Sequence, residues 1–259
     1  MDKIILLSVD KKLLFLELRY ITERIKRRIS AEYSISKSAW DPVVLDLPPG
    51  EKFLVLAPHP DDDAIGCGGT IIKLLTNEKL VRVSYLSIQS SEHFSRAERL
   101  EEIRESLDCL GVTDFSLRED TFPSGDVLVD MIKKELISSR PDTVFVPSPV
   151  ENHDHHVESF LSYLKAHRES GVRANTLLYE VWAPLLPNIL VDITSFIAGK
   201  NDAIGAHKTQ IRNLDFMRAA KGLNAYRAAM SGRDGYSEAF LFLAPSDLHR
   251  IFDLKGLYR

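Results

Sequence analysis

Phe53-Leu54-Val55-Leu56-Ala57-Pro58-His59-Pro60-Asp61-Asp62-Asp63 sets an apolar run directly before one imidazole and three consecutive carboxylates, and Gly66-Cys67-Gly68-Gly69 follows. A short apolar run bounded by proline reads as a buried strand, and the acids then open a helix. In open α/β sheets, ligands bind at that carboxyl edge. Three adjacent acids repel one another unless a cation or hydrogen-bond donors offset them. A divalent metal would do so, whereas the plain alternative is a solvated acidic turn capping the next helix. That alternative explains His59 poorly.

Outward from this stretch, apolar runs alternate with amphipathic ones: strand 53–57, helix 65–77, strand 81–88, helix 96–110, helix 126–139, strand 143–146 and helix 157–167. This order predicts an α/β fold, a Rossmann-like mostly parallel sheet with helices on both faces. Short strands at 177–182 and 189–192, helices at 195–213 and 215–230, and a last strand at 239–243 complete the pattern. Upstream, Leu14, Leu18, Ile21, Ile25 and Ile29 recur every three or four residues, which predicts an amphipathic helix over 13–29. Pro48-Pro49-Gly50 marks a boundary between an N-terminal helical extension (1–50) and the main domain (51–259). The apolar face of that helix calls for packing on the main domain or on a second copy, as in a homo-oligomer. Its basic stretch, 24–28, admits weak contact with an anionic membrane surface.

A chain of 259 residues with 44% hydrophobic and 27% charged residues builds one substantial domain and excludes wholesale disorder. The net charge of -4 lacks the basic field that phosphate backbones select, so no nucleic-acid partner is expected. Cys67 and Cys109 form no CxxC pair, which excludes a disulfide framework or thiolate zinc site and fits a reducing cytoplasm. No apolar run approaches the roughly 20 residues of a transmembrane helix, and residues 1–10 lack a signal-peptide layout.

A second cluster, Pro147-Ser148-Pro149-Val150-Glu151-Asn152-His153-Asp154-His155-His156, follows strand 143–146. Parallel strands end on one edge, so this loop and the His59 loop can converge; the alternative is a polar surface loop that binds nothing. Histidine and carboxylate together supply the three ligands and open position of a mononuclear catalytic metal. An unligated carboxylate can then take a proton from the metal's water, and a spare histidine can stabilise an oxyanion or protonate a leaving amine. These parts compose metal-assisted amide hydrolysis.

The two motifs resemble those of the LmbE/PIG-L family of metal-dependent N-deacetylases. His59, Pro60, Asp61, Asp62 and Asp63 match its (A/P)-H-P-D-D-(E/D), and residues 147–156 follow its P-S-P-x-E-x-H-P-D-H. The resemblance spans about residues 53–243. It implies hydrolysis of an N-acyl group, acetyl first of all, from an N-acetylated sugar or glycoconjugate, with Zn2+ or another divalent metal such as Fe2+. By position it implies His59, Asp62 and His156 as metal ligands, Asp61 as general base and His153 as the charge-stabilising histidine. Arg99 matches a family arginine that often contacts the substrate sugar, the alternative being an exposed helix salt bridge with Glu102 or Glu105. His207 is read as a substrate-pocket residue, against ordinary helix packing.

Two departures accompany the match. Asp154 and His155 stand where the family has Pro and Asp. Either Asp154 substitutes as the orienting acid, or the register shifts by one so that His155 is the ligand and Asp154 its partner. Asp63, Asp154 and His155 are expected to support the ligands. Phe122-Pro123-Ser124-Gly125 replaces a frequent Pro-Asp-Gly, which bears on sugar recognition. The competing function is a catalytically silent carbohydrate-binding or scaffold protein on the same fold; a nucleotide-dependent transferase lacks its glycine fingerprint here. His93, His167 and His249 have no supporting constellation.

Overall fold

A computed structural model describes residues 22–23, 25–32, 42–88, 94–118, 121–212 and 214–252. Among these, the strands are β1 (Val43–Leu45), β2 (Lys52–Ala57), β3 (Leu80–Tyr85), β4 (Asp114–Ser116), β5 (Thr143–Pro147), β6 (Asn175–Tyr179), β7 (Ile189–Asp192) and β8 (Ser237–Leu243). They form one sheet in the order β1-β7-β8-β6-β5-β2-β3-β4. Every pairing is parallel except those of β8, which is antiparallel to both β6 and β7.

The helices are α1 (Asp62–Thr76), α2 (Arg96–Leu110), α3 (Gly125–Ser139), α4 (Asp154–Ser170), α5 (Ile197–Ala206), α6 (Phe216–Met230) and α7 (Pro245–Ile251). Successive β2 side chains point to opposite faces. Phe53, Val55 and Ala57 join the core beneath α1, α2 and α5, with Ile71, Leu107 and Ile204. Leu54 and Leu56 join the core beneath α3 and α4, with Leu128, Ile132, Phe160 and Leu164. Both faces are covered, which is why β2 and β5 are almost wholly apolar. The expected α/β architecture is therefore present. From β2 the chain adds β3 and β4 on one side and later β5 and β6 on the other, so a crevice opens beyond β2 and β5, where strand order reverses.

Several boundaries differ from expectation. The sheet begins before residue 50, because Val43–Leu45 pairs with Ile189–Val191. The segment 195–213 is not one helix: a 3-10 turn at Thr194–Phe196 leads into α5, which stops at Ala206. Residues 22–23 and 25–32 are helical, carrying the N-terminal helix to residue 32, and Ala31 is buried in the α3 and α4 core. The rest of that expected helix, residues 13–21 and 24, lies outside the described residues, as does His93.

Within α1, Cys67 leaves helical geometry (φ -145°, ψ 16°). Two amides beyond the break, Gly69 N–H and Thr70 N–H, donate to Glu238 Oε1 and Oε2 (2.9 and 2.8 Å). Lys200 Nζ donates both to Glu238 (2.6 Å) and to Ile65 C=O (2.8 Å) before it. This buried pair caps the interruption from outside. Gly66 and Gly69 let α1 lie close on the sheet, since a Cβ at either would fall 2.3 Å from Tyr179 or 2.7 Å from Ile193.

Candidate metal centre

The turn joining β2 to α1 is fixed through its carbonyls. Pro58 and Pro60 bring no N–H to it. Ala57 C=O accepts from Leu86 N–H, and Pro58 C=O accepts from Ser87 N–H and Oγ–H. His59 C=O accepts from Asp62 N–H, Pro60 C=O from Arg99 Nη2, and Asp61 C=O from Ile65 N–H. Each carbonyl from residue 57 to 61 thus has a donor, as buried backbone requires.

The two loops meet as their sequences predict. Asp62 lies between two imidazoles, with Oδ2 3.3 Å from His59 Nδ1 and Oδ1 3.2 Å from His156 Nε2. His59 Nδ1 and His156 Nε2 are 3.3 Å apart. One nitrogen from each of His59, His153 and His156 falls within a 4.8 Å group, a set that can hold a metal ion. On the far side of the ring, His59 Nε2 shares a 2.9 Å hydrogen bond with His155 Nδ1. His155 in turn stacks on Phe122, with centroids 4.0 Å apart and planes 5° from parallel. Asp154 is exposed at the first position of α4.

Glu151 is a participant whose role the sequence left unassigned. Its carboxylate accepts from the amides of Val181, Trp182 and Ala183 (2.8, 2.9 and 3.4 Å), and Oε2 lies 3.5 Å from His156 Nδ1. A carboxylate behind a ligating imidazole fixes ring orientation and raises its basicity. His156 is fully buried. Burial alone would depress its pKa, but Asp62 and Glu151 outweigh it and lift His156 to about 10. Burial pushes Asp62 upward in turn, yet His156 and His59 hold it well below the usual carboxylate range. A cage of this kind favours a cation, and its donor set fits a divalent metal.

His153 differs in one respect. Its Nδ1 accepts from His155 N–H (3.2 Å), which caps α4 and assigns the ring proton to Nε2. Burial first, and the neighbouring imidazoles next, depress its pKa to about 4, so the ring is neutral. Asp61 sits beside Asp62, 8% exposed. Burial first and Asp62 second hold its carboxyl well above the usual range, with Arg99 opposing them. Asp63 is buried at the start of α1, accepts from Tyr85 O–H (2.8 Å), and is pushed by burial up to about 6.

Arg99 and His207 are both buried. Arg99 is 1% exposed and pairs with Glu102 (3.2 Å), so the exposed-bridge alternative has the right partner in the wrong environment. His207 is fully buried just beyond α5, and burial, followed by the Arg99 charge, depresses it to about 3. Neither of its ring nitrogens has a hydrogen-bond partner among the described residues.

Residues 54–165 match the family described as PIG-L: GlcNAc-PI de-N-acetylase. Diacetylchitobiose deacetylase from Thermococcus kodakarensis is 31% identical over 193 residues, 62% of this chain and 70% of that protein. The structure of N,N'-diacetylchitobiose deacetylase from Pyrococcus horikoshii, complexed with its inhibitor MPG, is 25% identical with a TM-score of 0.67, covering 80% of this chain and 89% of that one. A conserved protein from Thermus thermophilus shares the fold, with 24% identity and a TM-score of 0.68 over 76% of this chain and 96% of that one. With its two histidine–carboxylate loops joined at the sheet edge, the chain belongs to the PIG-L family.

Proposed function

We propose that this protein hydrolyses the N-acetyl group of an amino sugar or glycoconjugate, with His59, Asp62 and His156 holding a zinc ion. The observation that carries the division of labour is the hydrogen bond from His155 N–H to His153 Nδ1. It leaves His153 with an Nε2–H, a donor without a lone pair to give a metal, whereas Asp62 offers an ionised carboxylate between the other two imidazoles. Two imidazoles and one carboxylate suit zinc and also Fe2+. A divalent metal held there would polarise the amide carbonyl and lower the pKa of a bound water toward about 7, and its charge would favour the ionised form of Asp61. Asp61 takes the proton of the attacking water, His153 Nε2–H donates to the oxyanion that develops on the acyl oxygen, and as the C–N bond breaks the proton held by Asp61 passes to the departing sugar nitrogen, leaving acetate and a free amine. Glu151 keeps His156 in register, and His155 together with Phe122 fixes the His59 ring. The two deacetylases of similar sequence support the reaction class.

The test is free-amine release from a panel of N-acetylated amino sugars by metal-replete protein, with metal content measured alongside. Asp61→Asn should keep its metal and lose release by about 10²–10⁴-fold. Sugar binding without amine release from any member would make the protein a silent carbohydrate binder and refute the hydrolase.

A further inference from the structure

No hydrogen bond or ion pair holds the Asp61 carboxylate among the described residues. Its position is therefore set by its backbone. That backbone is unusual, with φ 145° and ψ -24°, a region that residues bearing a Cβ rarely adopt. Such strain persists only where the surroundings over-determine it.

Two peptide planes flank the Asp61 Cα, and each is pinned. The following plane is held by Ile65 N–H, which donates to Asp61 C=O (2.8 Å) as α1 begins. The preceding plane is held by Arg99 Nη2, which donates to Pro60 C=O (3.2 Å). Fixing both planes fixes φ and ψ together. The guanidinium is itself anchored: Nε donates to Ile88 C=O (3.3 Å), and Nη1 donates to Glu102 Oε2 and Thr209 Oγ1 (both 3.2 Å). Thr209 closes the arrangement by donating its amide and hydroxyl hydrogens to Glu102 (2.7 Å each). Four of the five N–H donors of an arginine are thus committed to the protein, and the residue is 1% exposed.

We infer that Arg99 is a positioning residue: it acts through the Pro60 carbonyl to hold Asp61 in its strained conformation. The inference rests on Asp61 being the base of the reaction proposed above. The turn at residues 207–210, through Thr209, is the outer brace of the same device.

Steady-state kinetics on a sugar that the wild type deacetylates separates positioning from substrate contact. A lysine at 99 keeps the charge but cannot reach Ile88, Glu102, Thr209 and Pro60 at once. Arg99→Lys should lose roughly 10²-fold in kcat, the cost of misplacing a reacting group by about 1 Å. Metal content should be unchanged, and the loss should fall on kcat more than on KM. Thr209→Val should move kcat in the same direction by less, and added guanidinium ion should restore kcat to Arg99→Ala. Crystals of Arg99→Lys should show Asp61 relaxed out of the positive-φ region, a readout independent of turnover. If Arg99→Ala does not fold, Arg99→Lys and Thr209→Val carry the test. A raised KM with kcat retained, or an unchanged Asp61 backbone, overturns the inference alone. A wild type that deacetylates nothing overturns the function and this role with it.

Discussion

A single backbone amide separates two chemistries among the histidines of this site. Because His155 N–H occupies His153 Nδ1, His153 presents a proton, while His59 Nδ1 and His156 Nε2 face the Asp62 carboxylate. His153→Ala should therefore cost about 10²–10³-fold in kcat, as loss of an oxyanion donor does, with stoichiometric metal retained by elemental analysis. Loss of the metal in that variant would instead make His153 a ligand. Residue types and spacing made His59, Asp61, Asp62, His153 and His156 legible in the sequence. Glu151 was visible too, but its work was not, because it receives three backbone amides from residues 181–183 and amides leave no trace in residue identity. The i, i+3 spacing of Arg99 and Glu102 likewise foretold their pairing and not their burial.

Among the elements, α2 was read to the residue, since it carries Ser95 and Glu98 as a reciprocal cap and ends at Gly111 with φ 77°. β1 and β4, three residues each, are too short for any periodicity to register. The contact between α4 and α7 was also missed. His167 Nε2–H donates to Ala174 C=O (3.1 Å), so its Nδ1 accepts from His249 Nε2 (3.0 Å). Burial lowers the pKa of His167, and burial, then His167 and Arg168, lower His249 to about 4. An unfolded histidine titrates near 6.5. Between about pH 6.5 and 4 the unfolded chain thus binds more protons, and stability falls as pH falls. Thermal midpoints should drop across that window, and His249→Gln, which keeps a donor and cannot titrate there, should show a shallower drop. An identical slope in the variant would remove this pair from the acid response.

At the level of the whole molecule, the alternation of apolar and amphipathic runs was enough to predict the mostly parallel sheet and to bring both loops to one edge. It did not order the outer strands, because pairing between β1, β7 and β8 joins residues about 50 to 150 positions apart that share no local pattern. No helix among the described residues is long and apolar enough to cross a membrane. Since the cluster joins β2 to β5 through α1 and α4, metal binding should stabilise the entire domain. Zinc at about 100 times its dissociation constant contributes about 2.7 kcal/mol, or roughly 5–10 °C in Tm for a domain of this size. Calorimetry of chelator-treated protein should show that rise on adding zinc. Asp62→Ala should show little of it, and an equal rise in that variant would place the metal elsewhere.

The position of β8 gives the molecule a timetable. This strand is made after the other seven, yet it enters the sheet between β6 and β7 rather than at a margin. Until residues 237–243 leave the ribosome, β1 and β7 have no link to the remaining strands. The Gly69 and Thr70 amides of α1 also await Glu238, and Lys200 awaits its counter-charge. A nascent chain carries both histidine loops by residue 156, about 80 residues before Glu238 arrives to accept from the α1 amides. The brace beneath α1 therefore arrives only in the step that completes the sheet.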